Sequence, residues 1–354
     1  MNHRIKATPT GKKPVEIQHD NPVAPAWPSY TGTSQFVGTS PSGRVTVYVD
    51  PSLGQPALQN AQDLVNDADR VVTANDGIFG TTGGLVSAIV FALGGATDGT
   101  GGADHMGCDY TTGAAIEVDA SFGNSARVSA LFEAELSECS MNGNLCGLST
   151  GEALSRWCAA VIGNNALADF ATAPQWVQDG EPDFVDKTDP TDQDADSIGC
   201  GMAFLSWLIS QGFGLEKIAP VMVSLGNAGT LAQLYATLTS DSASNAFPNF
   251  QTAIQNLPNG VTSDDPFGGL SNPLQMAHLA PQTAELVGRI FAAMVSDLAA
   301  GRQPEQMMAT VRAAMLPVSN AKAPAVCAPK SKRLLPPAKG ASGTREHRRT
   351  TKMA

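Results

Sequence analysis

The amino-acid sequence predicts an α+β fold, in which a small N-terminal mixed sheet with helices precedes an all-helical second half. Valines alternate with polar residues in Arg44–Asp50, a pattern typical of a half-buried strand. Leu85–Leu93 is a continuous apolar run rich in β-branched residues, as in a central strand. In Ala114–Ser121, isoleucine and valine alternate with acidic residues, which indicates an edge or half-exposed strand.

Helical spacing of apolar residues is found between the first two strands and through most of the later chain. Ala57–Ala74 carries apolar residues every three or four positions, so we predict a helix there. Ser125–Met141 and Ser149–Ile162 are predicted to be two further helices. Later helices are predicted at Gly199–Gly212, Glu216–Leu225, Leu231–Leu238, Phe250–Leu257, Thr283–Ala299 and Pro304–Met315.

Composition divides the chain into four parts. Residues 1–42 are rich in Pro, Ser, Thr and Gly, which predicts a disordered arm. Residues 43–260 are predicted to form the α+β domain, and residues 261–318 a C-terminal helical extension. Residues 319–354 contain nine Lys/Arg and one Glu and are predicted to be a basic disordered tail.

Charge is distributed unevenly between the body and the tail. The formal net charge is −11, and the tail contributes +8, so the remainder carries −19. An acidic body is not expected to bind nucleic acid, because phosphate recognition needs positive charge.

The cellular compartment is predicted from two features that the sequence lacks, a membrane-spanning segment and a classical signal peptide. No segment has the roughly 20 apolar residues that span a bilayer. The charged N-terminus has no apolar stretch behind it, unlike a classical signal peptide. In such a chain, widely spaced cysteines are more often buried thiols than disulfides. We therefore predict a cytoplasmic protein. The six cysteines are Cys108, Cys139, Cys146, Cys158, Cys200 and Cys327.

Three glutamates lie within the segment LFEAELSEC of the second predicted helix. At about 100° per residue, Glu135 lies within the apolar stripe and Glu138 on its shoulder, whereas Glu133 is predicted to face solvent. Burying an ionised carboxylate is costly unless it is paired or binds a metal. A structural ion pair and a functional site both satisfy that requirement.

Glu152, in the segment STGEALSRW, is a further candidate on the next predicted helix. Ser149 precedes it by three positions, and this spacing is that of a capping box, in which Glu152 would cap its own helix. The same residue is also a candidate site residue, because Trp157 indicates that this helix has a buried face. The sequence leaves both interpretations open.

The order of these elements resembles the zincin metallopeptidases of the gluzincin type. AELSE, at Ala134–Glu138, stands where the HExxH motif of that family stands. GEALSRW, at Gly151–Trp157, resembles the motif of that family in which a glutamate is the third metal ligand. CGMAFLSWL, at Cys200–Leu208, is similar to a later helix that packs behind such sites.

The resemblance implies that Glu135 is a general base and that Glu138 and Glu152 are metal ligands. Ala134 and Glu138 occupy the two histidine positions of HExxH, so this would be a degenerate member of the family. His105, in the Gly-rich segment GGADHMGCDY, is a candidate for the missing ligand. A histidine in a loop is more often a surface residue.

An acidic segment before the helix that starts near Gly199 is a candidate cation loop. Asp189, Asp192 and Asp194 are closely spaced, as oxygen ligands are in calcium loops. The segment lacks the central glycine and closing glutamate of an EF-hand. A solvated loop that caps the following helix is the commoner explanation.

Hypotheses from two functional classes follow. A zincin-like protein with a carboxylate-lined groove, non-catalytic or with altered metal chemistry, would hold an extended peptide or protein against Ala114–Ser121. A metal-dependent peptidase or hydrolase would use Glu135 as general base together with a divalent metal. A metal-free hydrolase that uses two carboxylates, as glycosidases do, is a third hypothesis. The missing histidine favours the first hypothesis, a zincin-like protein that is non-catalytic or has altered metal chemistry.

Overall fold

The computed structural model describes residues 22–106 and 114–271, and within them it has the predicted α+β organisation. The strands are β1 (Gln35–Thr39), β2 (Val45–Val49), β3 (Val86–Phe91), β4 (Ala103–Met106) and β5 (Ala114–Asp119). The α-helices are α1 (Gly54–Phe79), α2 (Ser125–Ser140), α3 (Ser149–Ile162), α4 (Ala173–Gln178), α5 (Ala195–Ser210), α6 (Leu215–Leu225), α7 (Leu231–Thr239) and α8 (Ala246–Gln255).

The five strands form one mixed sheet in the order β1-β2-β3-β5-β4. Strands β2, β3 and β5 are parallel, whereas the edge strands β1 and β4 are antiparallel to their neighbours. The prediction that Ala114–Ser121 is an edge or half-exposed strand is wrong. β5 pairs with β3 on one side and β4 on the other, and all six of its residues are buried.

One face of the sheet packs against the helices. Alternate residues of each strand belong to the main hydrophobic core, together with the apolar face of α1. Helix α1 ends at Gly80, whose left-handed φ of 66° suits a residue without a Cβ. The sheet residues in this core are Val45, Val47, Val49, Val86, Ala88, Val90, Ala103, Ala114, Ile116 and Val118.

The opposite face of the sheet is covered by part of the segment that was predicted to be a disordered arm. Trp27 and Tyr30 pack against a small apolar cluster on β2 and β3. The amide and hydroxyl of Ser29 and the amide of Tyr30 donate hydrogen bonds to the buried carboxylate of Glu117, at 2.6–2.9 Å. β1 also lies within residues 1–42. The folded part therefore begins well before residue 43, while residues 1–21 lie outside the described residues.

The predicted boundary at residue 260 also does not separate the chain. Asp264 accepts hydrogen bonds from Arg156 and from the amides of Thr172 and Ala173, and Asp265 accepts one from Ser206. These bonds tie residues after 260 to α3 and α5. The predicted helices at 283–299 and 304–315 and the tail at 319–354 lie outside the described residues.

Helix α2 is enclosed by the rest of the fold. It begins after Asn124, whose side chain accepts a hydrogen bond from the amide of Arg127. It then packs against α1, α3, β4 and β5, so that every residue from Arg127 to Ser140 is buried. A helix surrounded in this way has no solvent-exposed face. Among the described residues, no helix is long and apolar enough to cross a membrane.

Candidate functional site

His105 and Glu135 make a direct contact in the interior. His105 lies on β4, next to Ile116 of β5, so its side chain projects from the face that packs on α2. Its Nδ1 is 2.7 Å from Glu135 Oε2, and both side chains are almost completely buried. The segment around His105 was predicted to be a Gly-rich loop, and β4 is the strand that brings this residue to the helix.

Glu138 and Glu152 complete the cluster. Glu138 lies about one turn after Glu135 on α2, and its Oε2 is 3.9 Å from His105 Nδ1. Glu152, on α3, lies close enough to Glu138 for its negative charge to raise the pKa of Glu138. Ser155 donates a hydrogen bond to Glu138 Oε1 at 3.2 Å. The structure therefore brings together all four residues predicted for the site.

The electrostatics of this cluster are unfavourable for three ionised carboxylates. Burial raises the pKa of Glu135 and of Glu138 well above the usual range, and the neighbouring carboxylates raise both further. Burial also raises the pKa of Glu152, from 4.5 to about 7. Asp104 and Asp192 are among the groups whose negative charge raises the pKa of Glu135. A cation at this place would relieve both the repulsion and the desolvation.

Three carboxylate oxygens of the cluster lack a hydrogen-bond partner among the described residues. Glu135 Oε1, Glu138 Oε2 and Glu152 Oε2 are buried and make no hydrogen bond in the described part of the chain. A buried carboxylate oxygen of this kind is normally bonded, because the lost hydration is not otherwise replaced. Carboxylate oxygens and the His105 imidazole are ligand types that suit a divalent cation. Within the described residues, the group whose ligand atoms all lie within 4.8 Å of one another contains His105 and Glu138, but not Glu135 or Glu152.

Cys146 is a neighbour of this cluster that the sequence did not single out as a site residue. Its Sγ is 4.0 Å from His105 Nε2, and it forms a group with His105 and Glu138 whose ligand atoms all lie within 4.8 Å of one another. Cys146 is disulfide-bonded, so the prediction of buried thiols is wrong for this residue. Cys139, Cys158 and Cys200 are buried and outside disulfides, as predicted.

Glu133 does not face solvent, and that prediction is wrong. Its side chain is fully buried, and neither carboxylate oxygen has a hydrogen-bond partner among the described residues. An amphipathic helix would have one solvated side, but α2 is enclosed, and every residue from Arg127 to Ser140 is buried. Burial raises the pKa of Glu133 well above the usual range, and the charge of Arg70 opposes this only in part.

The capping interpretation of Glu152 is not supported by the geometry. Helix α3 follows Leu148 as its N-cap, and no side chain makes a capping hydrogen bond there. Ser149 Oγ instead accepts a hydrogen bond from the amide of Asp189. Glu152 is thus available to Glu138, and its role in the cluster stays a prediction.

The acidic segment mainly serves the start of α5. Asp194 is the N-cap, and its side chain accepts hydrogen bonds from the amides of Asp196 and Ser197. Asp192 accepts a hydrogen bond from the side chain of Gln193. Among the described residues, the candidate metal-ligand group does not include Asp189, Asp192 or Asp194, and it does not include Glu152 either. The capping interpretation therefore accounts for Asp194.

The raised pKa values predict how stability depends on pH when cations are removed. The folded protein binds more protons than the unfolded chain between pH 4.5, the ordinary pKa of Glu152, and its raised pKa of about 7. Raising the pH through this window therefore lowers the free energy of unfolding. Urea unfolding in chelator between about pH 5 and pH 8 should show this decline. Glu152→Gln should make the decline less steep without removing it, because the pKa values of Glu133, Glu135 and Glu138 are raised too. A stability that rises with pH would contradict the expectation.

Comparison of the chain with known protein families, curated proteins and solved structures found no match. Only the chemistry of the cluster itself therefore indicates a function.

Proposed function

We propose that the cluster of His105, Glu138 and Glu152 binds a divalent cation, in a zincin-like protein that is not a peptidase of the HExxH type. The observation that carries this proposal is the contact of one imidazole with buried carboxyls, three of whose oxygens have no partner in the described part of the chain. Buried carboxylates in such proximity are found where they are protonated, paired or bound to a metal.

The kind of donor atom limits the kind of cation. Carboxylate oxygens suit hard cations such as Mg²⁺, Ca²⁺ and Mn²⁺, whereas imidazole suits Zn²⁺, Fe²⁺ and Ni²⁺. A set of two carboxylates and one imidazole favours ions that accept both, of which Mn²⁺, Fe²⁺ and Zn²⁺ are the common ones. Mg²⁺ and Ca²⁺ fit less well, because they prefer oxygen ligands alone.

Glu135 is assigned a positioning role. Its contact with His105 Nδ1 is of the kind by which a carboxylate fixes the tautomer of a metal-binding histidine, with the other ring nitrogen as ligand. The same contact weakens the hydrolase alternative, in which Glu135 would activate water as a general base. Its carboxylate is fully buried and already engaged with the imidazole.

An extended peptide remains a proposed partner, but the place where it would bind differs from the first hypothesis. β5 is paired on both sides, so a peptide strand cannot add to it. Strand addition on this side of the sheet would have to use the outer edge of β4. That strand carries His105, so a bound peptide would lie close to the cluster.

The proposal is tested by cation-dependent stability. Mn²⁺ or Zn²⁺ should raise the Tm of the full chain, chelator should reverse the effect, and Mg²⁺ or Ca²⁺ should have less effect. Glu138→Gln keeps the size and polarity of the side chain but removes its charge, and should abolish the response. Glu133→Gln is the matched control, because it removes an equally buried carboxyl of the same helix outside the cluster. An equal response of Glu138→Gln and wild type, or no response to any cation, would contradict the proposal.

A further inference from the structure

Cys146 lies in the connection between the two helices that carry Glu138 and Glu152. Its sulfur, a ring nitrogen of His105 and a carboxylate oxygen of Glu138 lie within 4.8 Å of one another. Two atoms bound to one tetrahedral Zn²⁺, a sulfur at about 2.3 Å and a nitrogen at about 2.1 Å, are about 3.6 Å apart. The observed separation of 4.0 Å between Cys146 Sγ and His105 Nε2 is close to that value.

The backbone holds Cys146 in this position. Leu145 has a left-handed φ of 61°, and its amide donates a hydrogen bond to the side chain of Asn227 at 2.6 Å. Its carbonyl packs so closely on Gly151 that a Cβ there would lie 2.2 Å from the oxygen. The residue that precedes Cys146 is thus held at both its amide and its carbonyl.

Cys146 differs from the other described cysteines in its exposure. It is half-buried, whereas Cys139, Cys158 and Cys200 are fully buried. Burial raises the pKa of the Cys158 thiol, and that of Cys200 to about 12, so neither is expected to form a thiolate easily. Cys146 is accordingly the described cysteine that a dithiol reductant can reach most readily.

We propose that the disulfide of Cys146 is a redox switch that sets the metal preference of the cluster. The inference rests on the proposed function, because it concerns the same site. While the disulfide is intact, the Cys146 sulfur cannot be a thiolate ligand. The donor atoms available to the cation are then oxygen and nitrogen. Reduction by a dithiol adds two electrons and two protons, which gives two thiols and leaves the reductant as a disulfide. The Cys146 thiol then releases its proton to solvent when it binds the cation.

The switch changes the character of the donor set. A thiolate is a soft ligand and favours Zn²⁺ strongly over Mn²⁺. The reduced protein would therefore present sulfur, nitrogen and oxygen to the ion, as in tetrahedral zinc sites. The oxidised protein would retain the harder set of His105, Glu138 and Glu152, for which Mn²⁺ competes better.

The test compares Zn²⁺ and Mn²⁺ affinities of the full chain before and after reduction by a dithiol that is removed before titration. Zn²⁺ affinity should rise about tenfold or more on reduction, while Mn²⁺ affinity changes little. Co²⁺ bound to the reduced protein should show the intense near-ultraviolet charge-transfer absorption of a thiolate ligand. Cys146→Ser should lack both effects, whereas Cys158→Ser, a change at a buried thiol, should retain them.

The outcomes separate this inference from the proposed function. If neither state binds a cation, the proposed function is wrong and the switch with it. If the oxidised protein binds Mn²⁺ or Zn²⁺ but reduction changes neither affinity, only the switch is wrong. A Co²⁺ charge-transfer band that persists in Cys146→Ser would likewise overturn the assignment of Cys146 as ligand.

Discussion

Glu133→Leu is expected to stabilise the protein by about 1–3 kcal/mol, the usual cost of leaving a buried polar group unsatisfied. Neither carboxylate oxygen of Glu133 has a hydrogen-bond partner in the described part of the chain, and the side chain is fully buried. Leucine has a similar volume and fits a helix well, so the packing around α2 changes little. The substitution removes a desolvation cost without opening a cavity.

The free energy of unfolding measured in urea, near neutral pH and in chelator, checks this expectation. Glu133→Gln is the control, because it keeps a polar group without partners and should gain much less than leucine. A clear loss of stability in Glu133→Leu would mean that the charge of Arg70, which lowers the pKa of Glu133, stabilises the carboxylate more than burial destabilises it. The cation response should be unchanged in both variants, since Glu133 lies outside the cluster.

The strands that could be predicted from the sequence are those with a regular apolar pattern. β2 and β3 lie in the middle of the sheet and have continuous or alternating valines, so their burial pattern is visible in the chain. β1 and β4 were missed, since β1 lies in a polar segment and β4 has four residues, two of them Asp104 and His105. Edge strands are stabilised by hydrogen bonds to a neighbouring strand. The periodicity of apolar residues does not indicate where such hydrogen bonds form.

The site was predicted in part for a similar reason. Helical spacing placed Glu135 and Glu138 on the buried side of α2 correctly, because that depends only on neighbours within the helix. The same argument failed for Glu133, because the number of elements packed around a helix is a property of the tertiary fold. The approach of Cys146 to His105 joins residues 41 apart in sequence, and no local pattern indicates it.

Glu135→Leu is expected to weaken cation binding by about 10–100-fold, the usual effect of removing the partner that orients a metal-binding histidine. Without Glu135 Oε2, the contact with His105 Nδ1 is lost and the imidazole is held less firmly. The cation-free protein should change in stability by only about 1 kcal/mol, because loss of that hydrogen bond opposes the relief of burying the carboxyl. Titration with Mn²⁺ and Zn²⁺, with unfolding measured in chelator, tests both parts.

Glu135→Gln separates the positioning role from the alternative in which Glu135 is a general base. The amide oxygen of glutamine still accepts a hydrogen bond from Nδ1–H, so this variant should retain most of the cation affinity that leucine loses. As a general base, Glu135 would be needed for proton transfer, and both variants would abolish turnover equally while leaving cation binding nearly intact. A third possibility is that the cluster is the remnant of a former site. Wild type would then show no response to cations, and neither would the two variants. In that case Glu135→Leu is neutral or stabilising, since an uncompensated buried carboxyl has been replaced by an apolar side chain.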